Sequence, residues 1–172
     1  YKEIYFGSDN NLFHGHNSFG EELAGFPFQS TDRIRSSPAI GDVDNDGQME
    51  IVFGNSSGKL YIINQDGSQQ LAYTQLGFIE GAPALVDIDG DQDLEIIFTT
   101  TTGSGGQVYV IHHNGATESG FPKEIGSMFA GPAVHDLDND GVVDVVCVTY
   151  DKEVYAIEAI GGAIKSGFPF TA

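Results

Sequence analysis

The sequence predicts an all-β fold made of β-propeller blades, each a sheet of four antiparallel strands, with three complete blades and one lacking its inner strand. Three observations predict it. A Pro-Ala-apolar phrase recurs at Pro38-Ala-Ile, Pro83-Ala-Leu and Pro132-Ala-Val, in steps of 45 and 49 residues. Each phrase leads into an acidic nine-residue stretch, then into two β-branched or aromatic runs separated by a turn. Helical periodicity is absent, and 23 glycines in 172 residues argue against long helices. Four-stranded units repeating every ~40–50 residues are the pattern of propeller blades.

The chain divides into blades at about 1–30, 31–75, 76–124 and 125–172, all within one domain. The apolar residues after Pro38, Pro83 and Pro132 form the inner strands. Ile51-Val-Phe53, Ile96-Ile-Phe98 and Val145-Val-Cys-Val148 form the second strands. Leu60-Tyr-Ile-Ile63, Val108-Tyr-Val-Ile111 and Val154-Tyr-Ala-Ile157 form the third, each closed by a turn at Asp66-Gly67, Asn114-Gly115 or Gly161-Gly162. The stretch Thr99–Gln107 is the longer turn that lengthens its unit. Gly-Phe-Pro at 25–27, 120–122 and 167–169 marks the fourth strands, with a degenerate version near Leu71–Tyr73. Proline suits an outer edge, since it has no N–H to donate to a further neighbour. The N-terminal stretch, strand-like already over Tyr1–Phe6, enters this frame late: Glu3–Gly7 reads as a second strand, Asn11–His14 as a third and Gly25–Phe28 as a fourth.

The acidic stretches carry the chemistry. Asp42, Asp44, Asp46 and Glu50 occupy the first, third, fifth and ninth positions of the first loop, with Gln48 at the seventh. Asp87, Asp89, Asp91, Asp93 and Glu95 recur in that frame, as do Asp136, Asp138, Asp140, Val142 and Asp144. Hard cations such as Ca²⁺ take 6–8 oxygen ligands, which alternate carboxylates on a tight loop can supply. The unrestrained seventh residue suits a backbone carbonyl ligand. About three Ca²⁺ ions are expected. Asn45, Gly90 and Asn139 at the fourth position tolerate left-handed dihedrals, and Gly47 and Gly141 do so at the sixth. Gln92 stands at the sixth position of the second loop and costs on the order of 1 kcal/mol if φ is positive there, so the second site is expected to be the weakest. An EF-hand requires Glu at its twelfth position, where this chain has Phe53, Phe98 and Cys147.

Composition excludes several functions. Seven Lys and Arg face 25 Asp and Glu, a net charge of −18, which three Ca²⁺ would bring to −12. Such a chain repels phosphate backbones, so no nucleic-acid partner is expected. Anionic membrane surfaces are disfavoured in the same way, unless Ca²⁺ bridges. No apolar stretch approaches the ~20 residues of a transmembrane helix. Cys147, alone in an apolar run, rules out an internal disulfide and reads as a buried hydrophobe. His14 and His16, and the adjacent His112 and His113, read as ordinary surface or interstrand residues. No nucleophile elbow, zinc-protease motif or phosphate-cradling loop is present.

The units resemble FG-GAP repeats, the calcium-binding propeller blades of integrin α-chains and of bacterial surface and secreted proteins, including VCBS-type repeats. Phe78-Ile-Glu-Gly-Ala-Pro83 carries the motif, Met128-Phe-Ala-Gly-Pro132 departs slightly, and Ile34-Arg-Ser-Ser-Pro38 has lost both Phe and Gly. The resemblance implies a non-catalytic, Ca²⁺-stabilised module for adhesion or recognition, secreted or at the cell surface, binding a protein or a glycan. Weak Ca²⁺ sites suit the extracellular medium, where modules work with Kd of ~10⁻⁴–10⁻³ M. The alternatives are the propeller portion of a secreted enzyme, such as a polysaccharide lyase or peptidase, and a passive spacer. Only two arginines, Arg33 and Arg35, are available for a lyase site.

A ligand is expected on the side opposite the acidic loops, at the variable segments 9–11, 29–37, 55–58, 99–106 and 150–152. A first blade without an inner strand predicts an open arc, completed by a larger parent chain or by a homo-oligomer. A closed four-bladed monomer is the competing form.

Overall fold

The computed structural model describes residues 2–172, so Tyr1, expected at the head of the first strand, lies outside the described residues. The first sheet has three strands, β1 (Ile4–Gly7), β2 (Leu12–His16) and β3 (Phe28–Gln29), in that order. The second runs β4 (Ala39–Gly41), β5 (Glu50–Gly54), β6 (Lys59–Asn64), β7 (Gln69–Thr74). The third runs β8 (Ala84–Val86), β9 (Glu95–Thr99), β10 (Gln107–Ile111), β11 (Lys123–Glu124). The fourth runs β12 (Ala133–His135), β13 (Asp144–Val148), β14 (Glu153–Glu158), β15 (Phe170–Thr171). All pairings are antiparallel between sequence neighbours. The fold is all-β, with three complete four-stranded blades and a first blade lacking the inner strand.

Three outer strands are shorter than the Gly-Phe-Pro phrases suggest. β3, β11 and β15 have two residues each and begin after Pro27, Pro122 and Pro169. Proline cannot donate to the ladder, so pairing starts beyond it. The second blade has no such proline, and its β7 extends over six residues.

Alternation along the strands sends one face of each sheet toward each neighbour. Ile51, Phe53, Tyr61 and Ile63 pack on Phe13 and Ile34, with the Phe13 and Phe53 rings stacked at 4.0 Å. The opposite face of the second sheet, Val52, Leu60 and Ile62, packs on Ile96, Phe98, Tyr109 and Ile111. Ile97, Val108 and Val110 then meet Val145, Cys147 and Ile157. Ile79 lies across Gly54, the last residue of β5, and a Cβ there would overlap the Ile79 Cγ2. β4 touches β8 and β8 touches β12, whereas among the described residues no strand of the fourth sheet touches the first. The four blades thus form an open arc.

Candidate metal centres

Each acidic loop joins an inner strand to the second strand of its blade. The ladder closes at Gly41↔Glu50, Val86↔Glu95 and His135↔Asp144, so the ninth loop residue is also the first residue of the second strand. Glu50, Glu95 and Asp144 are therefore buried, at 1%, 0% and 0% exposure. One oxygen of each accepts the backbone N–H of the second loop residue, Val43, Ile88 or Leu137, at 3.0 Å in every case. The other oxygen faces the loop interior.

The first loop residue organises the turn. Asp42 accepts the N–H groups of Asp46 and Gly47 at 3.0 Å each, and Asp136 accepts those of Asp140 and Gly141 at 3.2 and 3.0 Å. Asp87 accepts from Gly90 and Gln92 at 2.6 and 3.1 Å. The fourth and sixth residues adopt left-handed φ in every loop: 55° and 89° at Asn45 and Gly47, 84° and 81° at Gly90 and Gln92, 61° and 88° at Asn139 and Gly141. Gln92 thus holds the conformation that glycine occupies in the other two loops.

Three of the expected ligand positions converge. Asp42, Asp44 and Glu50 bring oxygens within 4.8 Å of one another, as do Asp87, Asp89 and Glu95, and Asp136, Asp138 and Asp144. The fifth-position carboxylates do not join these clusters. Asp46, Asp91 and Asp140 instead accept the N–H of the seventh residue, Gln48, Asp93 or Val142, at 2.7, 3.1 and 2.8 Å. Burial, opposed by the Val43 hydrogen bond and reinforced by Asp44, Asp46 and Asp42, raises the Glu50 carboxyl above its ordinary pKa. Glu95 is raised for the same leading reason.

The donor sets fit a hard dication unequally. In the first loop, Asp44 Oδ1 is buried without a hydrogen-bond partner, the arrangement a cation would satisfy. In the second, His112 Nδ1 lies 3.0 Å from Glu95 Oε1 and His113 Nδ1 lies 2.8 Å from Asp93 Oδ2, so imidazoles border the carboxylates. Burial alone would lower the His112 pKa, but the Glu95 and Glu118 carboxylates outweigh it and raise it. In the third, Lys165 places its ammonium 2.9 Å from Asp138, 3.1 Å from Asp144 and 3.4 Å from Asp140. That lysine lies beyond β14, far from the loop in sequence, and nothing local marks it.

Two further placements differ from, or extend, the reading of the sequence. His14 and His16 are not unrelated interstrand histidines: they converge on Glu22, because β2 alternation puts both on one face and Glu22 bridges to His16. On the side away from the acidic loops, the turns between second and third strands meet the segments that precede the inner strands. Ser56 N–H donates to Arg33 O at 3.0 Å and Tyr150 N–H to Ser127 O at 2.9 Å. Arg35 is held there by Asp9 at 3.0 Å, and the Arg33 Nε donates to Ser56 at 3.3 Å.

An FG-GAP-like repeat matches twice, over residues 42–98 and 87–147, each match spanning two successive acidic loops. No curated protein is matched by its sequence. Solved structures share the fold at low identity. The C-terminal domain of PilY1 from Pseudomonas aeruginosa superposes with a TM-score of 0.65 at 16% identity, over 91% of this chain and 38% of that one. BamB from Moraxella catarrhalis gives 0.62 at 18% identity, over 99% and 50%. BBS1N, solved in complex with ARL6DN, gives 0.70 at 11% identity, over 98% and 52%. This chain thus spans 38–52% of the length of those three. The repeat matches cover most of the chain, with both lying on the blades and loops described above, and the protein belongs to the FG-GAP-like repeat family.

Proposed function

We propose that the chain is a Ca²⁺-stabilised, non-catalytic propeller module of an extracellular or cell-surface protein, where it serves adhesion or recognition by binding a protein or a glycan. The observation that carries this reading is the convergence of three carboxylates at the same place in three successive blades. Like charges this close repel one another, and a hard dication converts that repulsion into attraction. Asp42, Asp44 and Glu50 would hold one ion, Asp87, Asp89 and Glu95 a second, and Asp136, Asp138 and Asp144 a third. Bound Ca²⁺ supplies charge neutralisation and ties each inner strand to its neighbour. The left-handed Gln92 strains the second site, as its sequence suggests. The Lys165 ammonium among Asp138, Asp140 and Asp144 opposes a cation more strongly, so in this reading the third site and not the second is the weakest.

This reading puts the partner on the side opposite the acidic loops. There Phe129 and Tyr150 are exposed, with rings edge to face at 5.3 Å, and they line a hollow with Thr102, Ser104, Ser127 and Asp151. Exposed aromatic faces flanked by hydroxyls and a carboxylate suit a sugar ring or an aromatic-seeking protein surface. That BBS1N was solved with ARL6DN supports this fold as a scaffold for partners. Open blade faces at both ends of the arc support its completion by further blades, from a longer chain or a second copy. A glycan and protein array probed with the chain tests the reading, using Phe129→Ala/Tyr150→Ala as control. Binding lost in the double variant and without turnover supports it; cleavage of the captured ligand contradicts it. Binding that the double variant leaves intact contradicts the placement.

A further inference from the structure

The outward face of the first blade breaks the apolar pattern that the other three blades share. In those blades the same ladder positions hold Phe53↔Tyr61 with Ile51↔Ile63, Phe98↔Tyr109 with Ile96↔Ile111, and Cys147↔Tyr155 with Val145↔Ile157. All face a preceding blade, and most are fully buried. In the first blade the pairs are Phe6↔His14 and Ile4↔His16. The bridge after the third strand is Ile111↔Thr117 or Ile157↔Ile164 elsewhere and His16↔Glu22 here. Two imidazoles and a carboxylate have thus replaced a tyrosine, an isoleucine and a threonine or isoleucine, all on one face.

We propose that His14, His16 and Glu22 form a binding site for a divalent transition-metal ion of the zinc class, distinct from the acidic loops. The three donor atoms lie within 4.8 Å of one another. His14 Nδ1 is 2.7 Å from Glu22 Oε1, and His16 Nε2 is 4.0 Å from the same oxygen. Tetrahedral ligands at 2.0–2.1 Å from zinc are about 3.3 Å apart, so the two contacts to Glu22 adjust by about 0.6–0.7 Å to admit an ion. Supporting contacts already hold the two imidazoles. His16 Nδ1 lies 3.1 Å from the Gly20 carbonyl, which accepts its N–H and leaves the Nε2 lone pair, 4.0 Å from Glu22 Oε1, available to a metal. Phe6 stacks on both imidazoles, at 5.2 Å on His14 and 5.6 Å on His16, and forms an apolar floor that holds the ring planes. Two imidazole nitrogens and one carboxylate oxygen prefer zinc, copper, nickel or iron over Ca²⁺, which takes oxygen ligands. Three protein ligands leave at least one coordination position open to water or to a donor from a neighbouring blade.

The test is a Co²⁺ titration of the full chain, followed by visible absorption, in an excess of Ca²⁺ that keeps the acidic loops supplied with their own cation. Co²⁺ reports four- or five-coordinate nitrogen and oxygen sites through its d–d band. One Co²⁺ per chain is expected, displaced by Zn²⁺, with affinity at least tenfold lower in His14→Gln, in His16→Gln and in Glu22→Gln. His112→Gln, just after β10 and beside Glu95 of the second acidic loop, leaves the band unchanged. Circular dichroism and thermal melts of each metal-free variant verify the fold, and Phe6→Leu provides a conservative change with all ligands intact. The absence of a band in the wild type overturns the proposal. So does a band that survives His14→Gln/His16→Gln, or one that disappears in His112→Gln instead.

Discussion

Lys165 Nζ lies 3.1 Å from Asp144 Oδ1, inside the third acidic loop, whereas in the first loop the neutral Gln70 amide approaches Asp44 at 3.3 Å. The ammonium donates to Asp138, Asp140 and Asp144 together, and those bonds, Asp138 first, hold its pKa above the ordinary lysine value. An ammonium and a dication cannot share that centre.

Replacing Lys165 by Met therefore has opposite effects with and without metal. In chelator the variant melts below the wild type, because the buried Asp144 loses its counter-charge. In Ca²⁺ its third loop binds more tightly, on the order of tenfold, since one competing charge is gone. Calorimetry and melts under both conditions check this; a variant with unchanged Ca²⁺ affinity contradicts the competition.

Gln92→Gly relieves a left-handed residue at φ 81°. No neighbouring atom crowds the equivalent glycines Gly47 and Gly141, so conformation alone sets the cost. The substitution should stabilise the chain by about 0.5–1 kcal/mol, the relief being partly offset by glycine's freedom in the unfolded state. A urea midpoint that does not rise contradicts the account of that loop.

Gly54→Ala should destabilise by about 1–3 kcal/mol, because its methyl group would enter the space of Ile79, which is fully buried between the second and third blades. Gly47→Ala serves as a comparison. Its space is open, so only the left-handed φ of 89° opposes it, at about 1 kcal/mol. Denaturant melts that rank the two in reverse order would contradict the packing described here.

Cys147 is 3% exposed, and burial pushes its thiol up to about 12. Thiolate formation in the folded protein begins only near that pH, so at pH 8 a thiol reagent should label Cys147 only upon unfolding. Labelling of the native chain as fast as that of the denatured chain contradicts its burial in the core between the third and fourth blades.

Much of this was legible in the residues and some was not, for physical reasons. Blade order, the missing inner strand and the converging acids Asp42, Asp44 and Glu50 are local features: the spacing that repeats them also places them. The outer strands are shorter than the sequence suggests, since Gly-Phe-Pro marks where the strand is approached and proline delays its pairing. Lys165 and the acids it meets lie more than twenty residues apart, joined only when β14 and the turn after it fold back. Glu22 reaches His14 and His16 through a single bridge outside any strand, with Phe6 supplied by another strand. Periodicity along one segment carries no information about either meeting.

Calorimetric titration of the metal-free chain with Ca²⁺, paired with melts in Ca²⁺ and in chelator, tests the central claim most directly. The account predicts carboxylate-dependent binding in the acidic loops, lost from the first loop in Asp44→Asn/Glu50→Gln and weakest in the third while Lys165 is present. It also predicts a higher melting temperature in Ca²⁺, as binding to the folded state alone requires; at 100 times Kd, one site contributes about 2.7 kcal/mol. A chain that takes up no Ca²⁺ heat and melts identically in both conditions would contradict it.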